Sequence, residues 1–121
     1  MKEALLVTQI IKEINKYKKT FAYKNVAATA YSTRGIPDII ACINGYFVGI
    51  EVKTKKNVAS KLQLETGKVI TQAGGLFWII TSIPELIENL KTLDIEKKEN
   101  VMTENVMTEE EEIDEFFFDK F

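Results

Sequence analysis

Chemistry in this chain has to come from carboxylates and lysines. Its 121 residues include no histidine and a single cysteine, Cys42. That removes imidazole acid–base catalysis, multi-cysteine zinc sites and any internal disulfide framework. Two carboxylates stand out by position: Asp38 heads the β-rich run Asp38 to Ile43, and Glu51 lies near the end of the run Tyr46 to Lys53, with Asn44-Gly45 between the runs. Asn-Gly between such segments predicts a two-residue hairpin loop. In that register Ile43 faces Tyr46, Ile40 faces Gly49 and Asp38 faces Glu51.

Facing residues share one side of a sheet with Cβ atoms about 4.5 to 5.5 Å apart. Lys53, two residues beyond Glu51, falls on the same side. Facing carboxylates repel unless a proton, a cation or a lysine compensates. A Mg²⁺ ion would resolve that conflict, because it takes oxygen ligands from one or two carboxylates and completes its shell with water and substrate phosphate. A water bound to such an ion could then attack phosphorus in line. Lys53 would orient or deprotonate the attacking water, or stabilise charge on the phosphoryl oxygens. The bland alternative is a solvated hairpin end, with Asp38 merely starting a strand.

The elements that must position these groups can be read from periodicity. The other side of the hairpin carries Ile39, Ala41, Ile43, Tyr46, Val48, Ile50 and Val52, an apolar face that must pack on a helix and so pins the register. From Lys2 to Tyr17, Leu6, Ile10, Ile14 and Tyr17 recur at helical spacing. Phe21 to Ser32 lacks a helical period and reads as an irregular strand or loop. Ser60 predicts the cap of a helix to about Ala73, Gly74-Gly75 ends it, Leu76 to Thr81 reads as a buried strand, and a last helix runs from about Pro84 to Leu93. This order predicts an α/β fold with a mixed central sheet flanked by helices, the helix after the hairpin crossing over to a parallel strand. Cys42, beside Ile40 and Phe47, is expected to be packed, and Phe77 and Trp78 to belong to the core.

A hydrophobic content of 45% over 121 residues supports one modest core. No stretch matches a membrane span or a signal sequence, and a cytoplasmic location is expected. Net charge is divided unevenly. Residues 1–93 hold 13 Lys/Arg against 7 Asp/Glu, a net of +6, whereas residues 94–121 hold 3 against 11, a net of −8. A basic body suits a polyanionic partner.

Gly35-Ile36-Pro37-Asp38, followed after the hairpin by Gly49-Ile50-Glu51-Val52-Lys53, resembles the two halves of the PD-(D/E)XK nuclease signature. Within that superfamily the text is similar to the VRR-Nuc family in its Gly-x-Pro-Asp turn, its strand Phe47 to Lys53, its helix start Ser60 to Gln63 and its Ala73-Gly74-Gly75. The resemblance covers about residues 2–92. It implies a restriction-endonuclease-like core with a catalytic hairpin, dependence on Mg²⁺ or Mn²⁺, DNA as substrate, a preference for branched or flapped structures, and a homodimer. It also implies a glutamate from the first helix near the metal, for which Glu3 is the matching residue; a charge favourable to a helix N-terminus explains Glu3 equally. Gln63 matches the family glutamine, and Ser60-Lys61-Leu62-Gln63 is also a capping box. Arg34, Lys55, Lys56 and Lys61 flank the expected site as candidate phosphate contacts.

From residue 94 onward the sequence is acidic and of low complexity and is expected to be disordered: Glu-Asn-Val-Met-Thr occurs twice (99–103, 104–108), then come Glu109 to Glu112 and four phenylalanines among the last six residues. The tail superficially looks like the acidic tips of bacterial single-strand DNA-binding proteins. It could recruit a replication or repair protein, fold onto the basic body in competition with DNA, or only aid solubility. The rival reading of the whole chain is a non-catalytic nucleic-acid-binding or regulatory module on a nuclease fold, its tail docking a partner protein.

Overall fold

A computed structural model describes residues 2–26, 35–54 and 58–99. The elements run α1 (Glu3–Ile14), β1 (Thr20–Lys24), β2 (Ile39–Ile43), β3 (Tyr46–Val52), α2 (Lys61–Gln72), β4 (Leu76–Ile80) and α3 (Ile83–Lys91). The strands form one mixed sheet in the order β1-β2-β3-β4, antiparallel except for the parallel pair β3-β4, which the crossover helix α2 makes possible. Among the described residues no helix is long and apolar enough to cross a membrane.

The hairpin has the register that Asn-Gly predicts, with Ile43 opposite Tyr46 and Ile40 opposite Gly49. Asn44 and Gly45 both take positive φ, 50° and 84°, the backbone that a tight turn matched to strand twist requires. The face pattern follows. Ile39, Ala41, Ile43, Val48, Ile50 and Val52 are buried, and Tyr46 at the turn is exposed. This face packs against the stripe Leu6, Ile10 and Ile14 of α1 and against Leu86 and Leu90 of α3. Each buried Ile or Val contributes about 1.5 to 3 kcal/mol, so a slip of one residue, which turns one strand's three inward side chains to the other face, is strongly disfavoured.

The opposite face is covered by α2 only over β3 and β4. Gly49 makes that closeness possible: a Cβ there would stand 2.8 Å from Pro37 Cγ and 3.1 Å from Ile70 Cδ1. Cys42 on β2 is exposed and not packed as its neighbours implied, with no helix over it among the described residues. Strand β4 also departs from expectation. Its apolar run implies burial on both faces, yet it is the outer strand of the sheet; only Ile80 is fully buried, Phe77 and Trp78 are half-buried, and Ile79 is 36% exposed.

The first residues assigned by composition to the tail continue the body. Ile95 packs against the core, Lys18 N–H donates to Glu96 O at 2.7 Å, and Lys98 N–H donates to Lys16 O at 2.7 Å. Tyr17 and Lys97 form a bridge between them. Asn44 Nδ2 donates to Leu93 O at 3.0 Å, which ties this strap to the hairpin turn.

Candidate active site

The site lies at the open end of the hairpin, away from the turn. Pro37 is fully buried beneath α2, and the chain leaves it directly into Asp38 and β2. The Asp38 carbonyl accepts from Asn25 N–H at 2.8 Å, which fixes the backbone against the end of β1. One carboxylate oxygen, Asp38 Oδ2, accepts from Val52 N–H at 2.9 Å. The hairpin thus continues one step beyond its last backbone pair through a side chain, and Asp38 is aimed at β3. No sequence signal marks the contributions of Asn25 and Val52, because both are made by backbone amides.

Glu51 is 1% exposed and comes within hydrogen-bonding contact of the Asp38 carboxyl. Burial, then the hydrogen bond to Asp38 and its charge, push the Glu51 carboxyl from the ordinary value near 4.5 up to about 8; Lys53 opposes this and Glu3 adds to it. Lys53 Nζ stands 3.7 Å from Glu51 Oε1. Gln63 Nε2 donates to the same oxygen at 2.9 Å. Glu51 Oε2, in contrast, is buried with no donor at all. A proton shared with Asp38, a cation or a water would satisfy that oxygen, since two ionised carboxylates offer each other no hydrogen.

Gln63 reconciles its two readings. Its Oε1 accepts from Ser60 N–H at 2.8 Å while Ser60 Oγ accepts from Gln63 N–H at 3.1 Å, a complete capping box. The remaining amide nitrogen is then directed to Glu51. The amide orientation follows from this network, because Ser60 N–H needs an acceptor and Glu51 needs a donor. One side chain therefore starts α2 and holds the buried carboxylate.

The structure brings together Asp38, Glu51, Lys53 and Gln63, with Glu3 close enough for its charge to act on Glu51. Among the described residues no group of three or more acidic, cysteine or histidine side chains forms a ready metal cage. The donor set is a pair of carboxylates, which fits an ion that relies on water and phosphate for its other ligands. Lys61 is exposed at the first turn of α2. Arg34, Lys55 and Lys56 lie outside the described residues.

Comparison with models of protein families, with curated proteins and with solved structures gives no match to this chain.

Proposed function

We propose that the chain is a Mg²⁺- or Mn²⁺-dependent endonuclease that hydrolyses DNA phosphodiester bonds, with a preference for branched, flapped or junction structures. The observation that carries this reading is the buried, donorless Oε2 of Glu51 beside Asp38. A fold rarely leaves such an atom unsatisfied, and groups of this kind gather where ligands bind. The element order of helix, three antiparallel strands, crossover helix and parallel strand supports a PD-(D/E)XK core of the VRR-Nuc type.

In this reading Asp38 and Glu51 hold the cation, and Asp38 keeps its aim through Val52 N–H. When bound, the ion supplies positive charge that offsets both carboxylates and polarises a phosphoryl oxygen. Lys53, mostly buried at the edge of the cluster, holds a proton-bearing nitrogen where the incoming phosphate and water would meet. Gln63 is a positioning residue that fixes one oxygen of Glu51 and leaves the other to the ion. Lys61, with Arg34, Lys55 and Lys56, supplies the phosphate contacts of a homodimer working in the cytoplasm.

A specific observation favours a second reading. With its carboxyl raised to about 8, metal-free Glu51 keeps its proton at neutral pH, and a cluster that sheds this one negative charge would suit a non-catalytic DNA-binding module. Cleavage of labelled linear, flapped and four-way-junction DNA, assayed with Mg²⁺, Mn²⁺ or EDTA, separates the two. The nuclease reading expects cleavage that disappears in EDTA and in Glu51→Ala. Binding that needs no metal, without cleavage of any substrate, would replace it with the binding module.

A further inference from the structure

A groove of about 650 Å³ runs between α2 and the outer strand β4. Its floor is apolar: Leu64 is 45% exposed, Ile79 is 36% exposed, and Phe77 lies half-buried between them. Lys61 and Lys68 rim it, with Glu65 as the one carboxylate on the helix side. Apolar surface edged by two cations is complementary to a segment that alternates carboxylates with large hydrophobes. The chain carries such a segment: Glu109 to Glu112, Ile113, Asp114, Glu115, Phe116 to Phe118, Asp119, Lys120 and Phe121.

The direction of the groove matches the way the chain leaves the body. Strand β4 runs parallel to β3, so its start and the C-terminal turn of α2 lie towards the hairpin turn, while Lys61 and Ile79 lie towards the catalytic cluster. Ile79 is the register partner of Glu51. The last described residue of the strap, Glu99, follows Lys98, whose N–H donates to Lys16 O on the side of the hairpin turn. Residues 100–108 can span up to about 30 Å when extended, which is the diameter of a domain this size. For a segment tethered there, the Gln72 end of the groove is the nearer one.

We propose that residues 109–121 dock in cis in the α2–β4 groove, their phenylalanines on Leu64, Phe77 and Ile79 and their carboxylates against Lys61 and Lys68. The occupied groove ends beside Glu51, so the docked segment takes up Lys61 and screens the approach of another polyanion. Docking depends only on the groove and the segment, and it stands or falls independently of phosphodiester hydrolysis.

The test is disulfide trapping in the whole chain with Cys42→Ser, pairing Gln72→Cys in the groove with Glu110→Cys at the start of the docked segment, and comparing Lys12→Cys with Glu110→Cys as the control on the exposed face of α1. At low protein concentration the groove pair should close within one chain about ten-fold faster than the control, reflecting a raised local concentration. Adding Lys61→Glu with Lys68→Glu, or separately Phe116→Ser, Phe117→Ser and Phe118→Ser, should bring the groove pair down to the control rate. Equal rates for the two pairs would overturn the proposal. Disulfides that link two chains instead would overturn the cis arrangement in favour of a groove that receives the tail of a second copy. Trapping that survives both sets of substitutions would show that charge and phenylalanine are not what seats the segment.

Discussion

The two ends of one hairpin are built on opposite terms. At the turn, polar groups find partners from other parts of the chain: Asn44 N–H donates to Lys19 O at 2.8 Å, its side chain reaches Leu93 O, and the strap closes over the same end. At the open end the same two strands press Asp38 against a buried Glu51 and leave one oxygen without a donor. The register is common to both. It is set by the turn and by six buried side chains on the other face, so stability gained in one region holds repulsion in place in another. Glu13 Oε2 is the only other buried donorless side-chain atom among the described residues, and the other oxygen of Glu13 has an exposed lysine, Lys16, at 3.4 Å.

The sharpest way to break this contrast is to remove the charge at the open end. Glu51→Ala should lower cleavage by 10³-fold or more on the proposed function, an effect on the order of 4 kcal/mol in the barrier, checked by single-turnover assays on the preferred substrate. The same residue gives the comparison a thermodynamic form. A folded carboxyl that holds its proton to about 8, against an ordinary value near 4.5, binds more protons than the unfolded chain between those values. Stability without metal should therefore fall as pH rises through that window by a few kcal/mol, with nothing lost below it and the loss complete above it. Urea unfolding from pH 4 to 9 checks the slope. Glu51→Gln should flatten the curve and be the more stable protein at pH 8 in EDTA, and added Mg²⁺ should stabilise the native chain increasingly with pH while leaving Glu51→Gln unchanged.

Packing beneath the site gives the next largest effect. Gly49→Ala places a methyl against Pro37 and Ile70 and should cost about 1 to 3 kcal/mol by denaturant unfolding, with part of the activity lost because Pro37 carries Asp38. Gln63→Ala removes a cap acceptor and a donor to Glu51 together and should cost about 1 to 2 kcal/mol, while Ser60→Ala removes only the cap and should cost about 1 kcal/mol with less effect on cleavage. The smallest effect belongs to the turn: Asn44→Gly keeps the positive φ, gives up the bond to Leu93, and should cost about 1 kcal/mol without touching activity.

How much of this could be read without coordinates depended on whether the determinant was a side-chain pattern or a backbone bond. The Asn-Gly loop fixed the strand pairing, and the stripe Leu6, Ile10, Ile14 fixed the buried face of α1, because both are local rules. The facing of Asp38 and Glu51 followed from the loop alone. Strand β1 was legible only as irregular because Thr20–Lys24 is an outer strand whose pairing comes from β2, with Tyr23 and Lys24 exposed. The strap was invisible to composition for a related reason: it is held by the amides of Lys18 and Lys98, in a stretch whose side chains read as solvent-loving. Cys42 and Ile79 were expected inside because their neighbours are apolar, but α2 is one helix laid over a four-stranded sheet and cannot cover its full width.

Because α1 starts with Glu3, whose charge reaches Glu51, and the strap ends at Glu99 beside Lys16, the body has a polarity useful at the bench. Residues fused ahead of Glu3 would hang at the mouth of the carboxylate cluster and obstruct a long substrate. A tether built onto the other pole would hold the protein to a bead or sensor surface with its chemistry facing the solution.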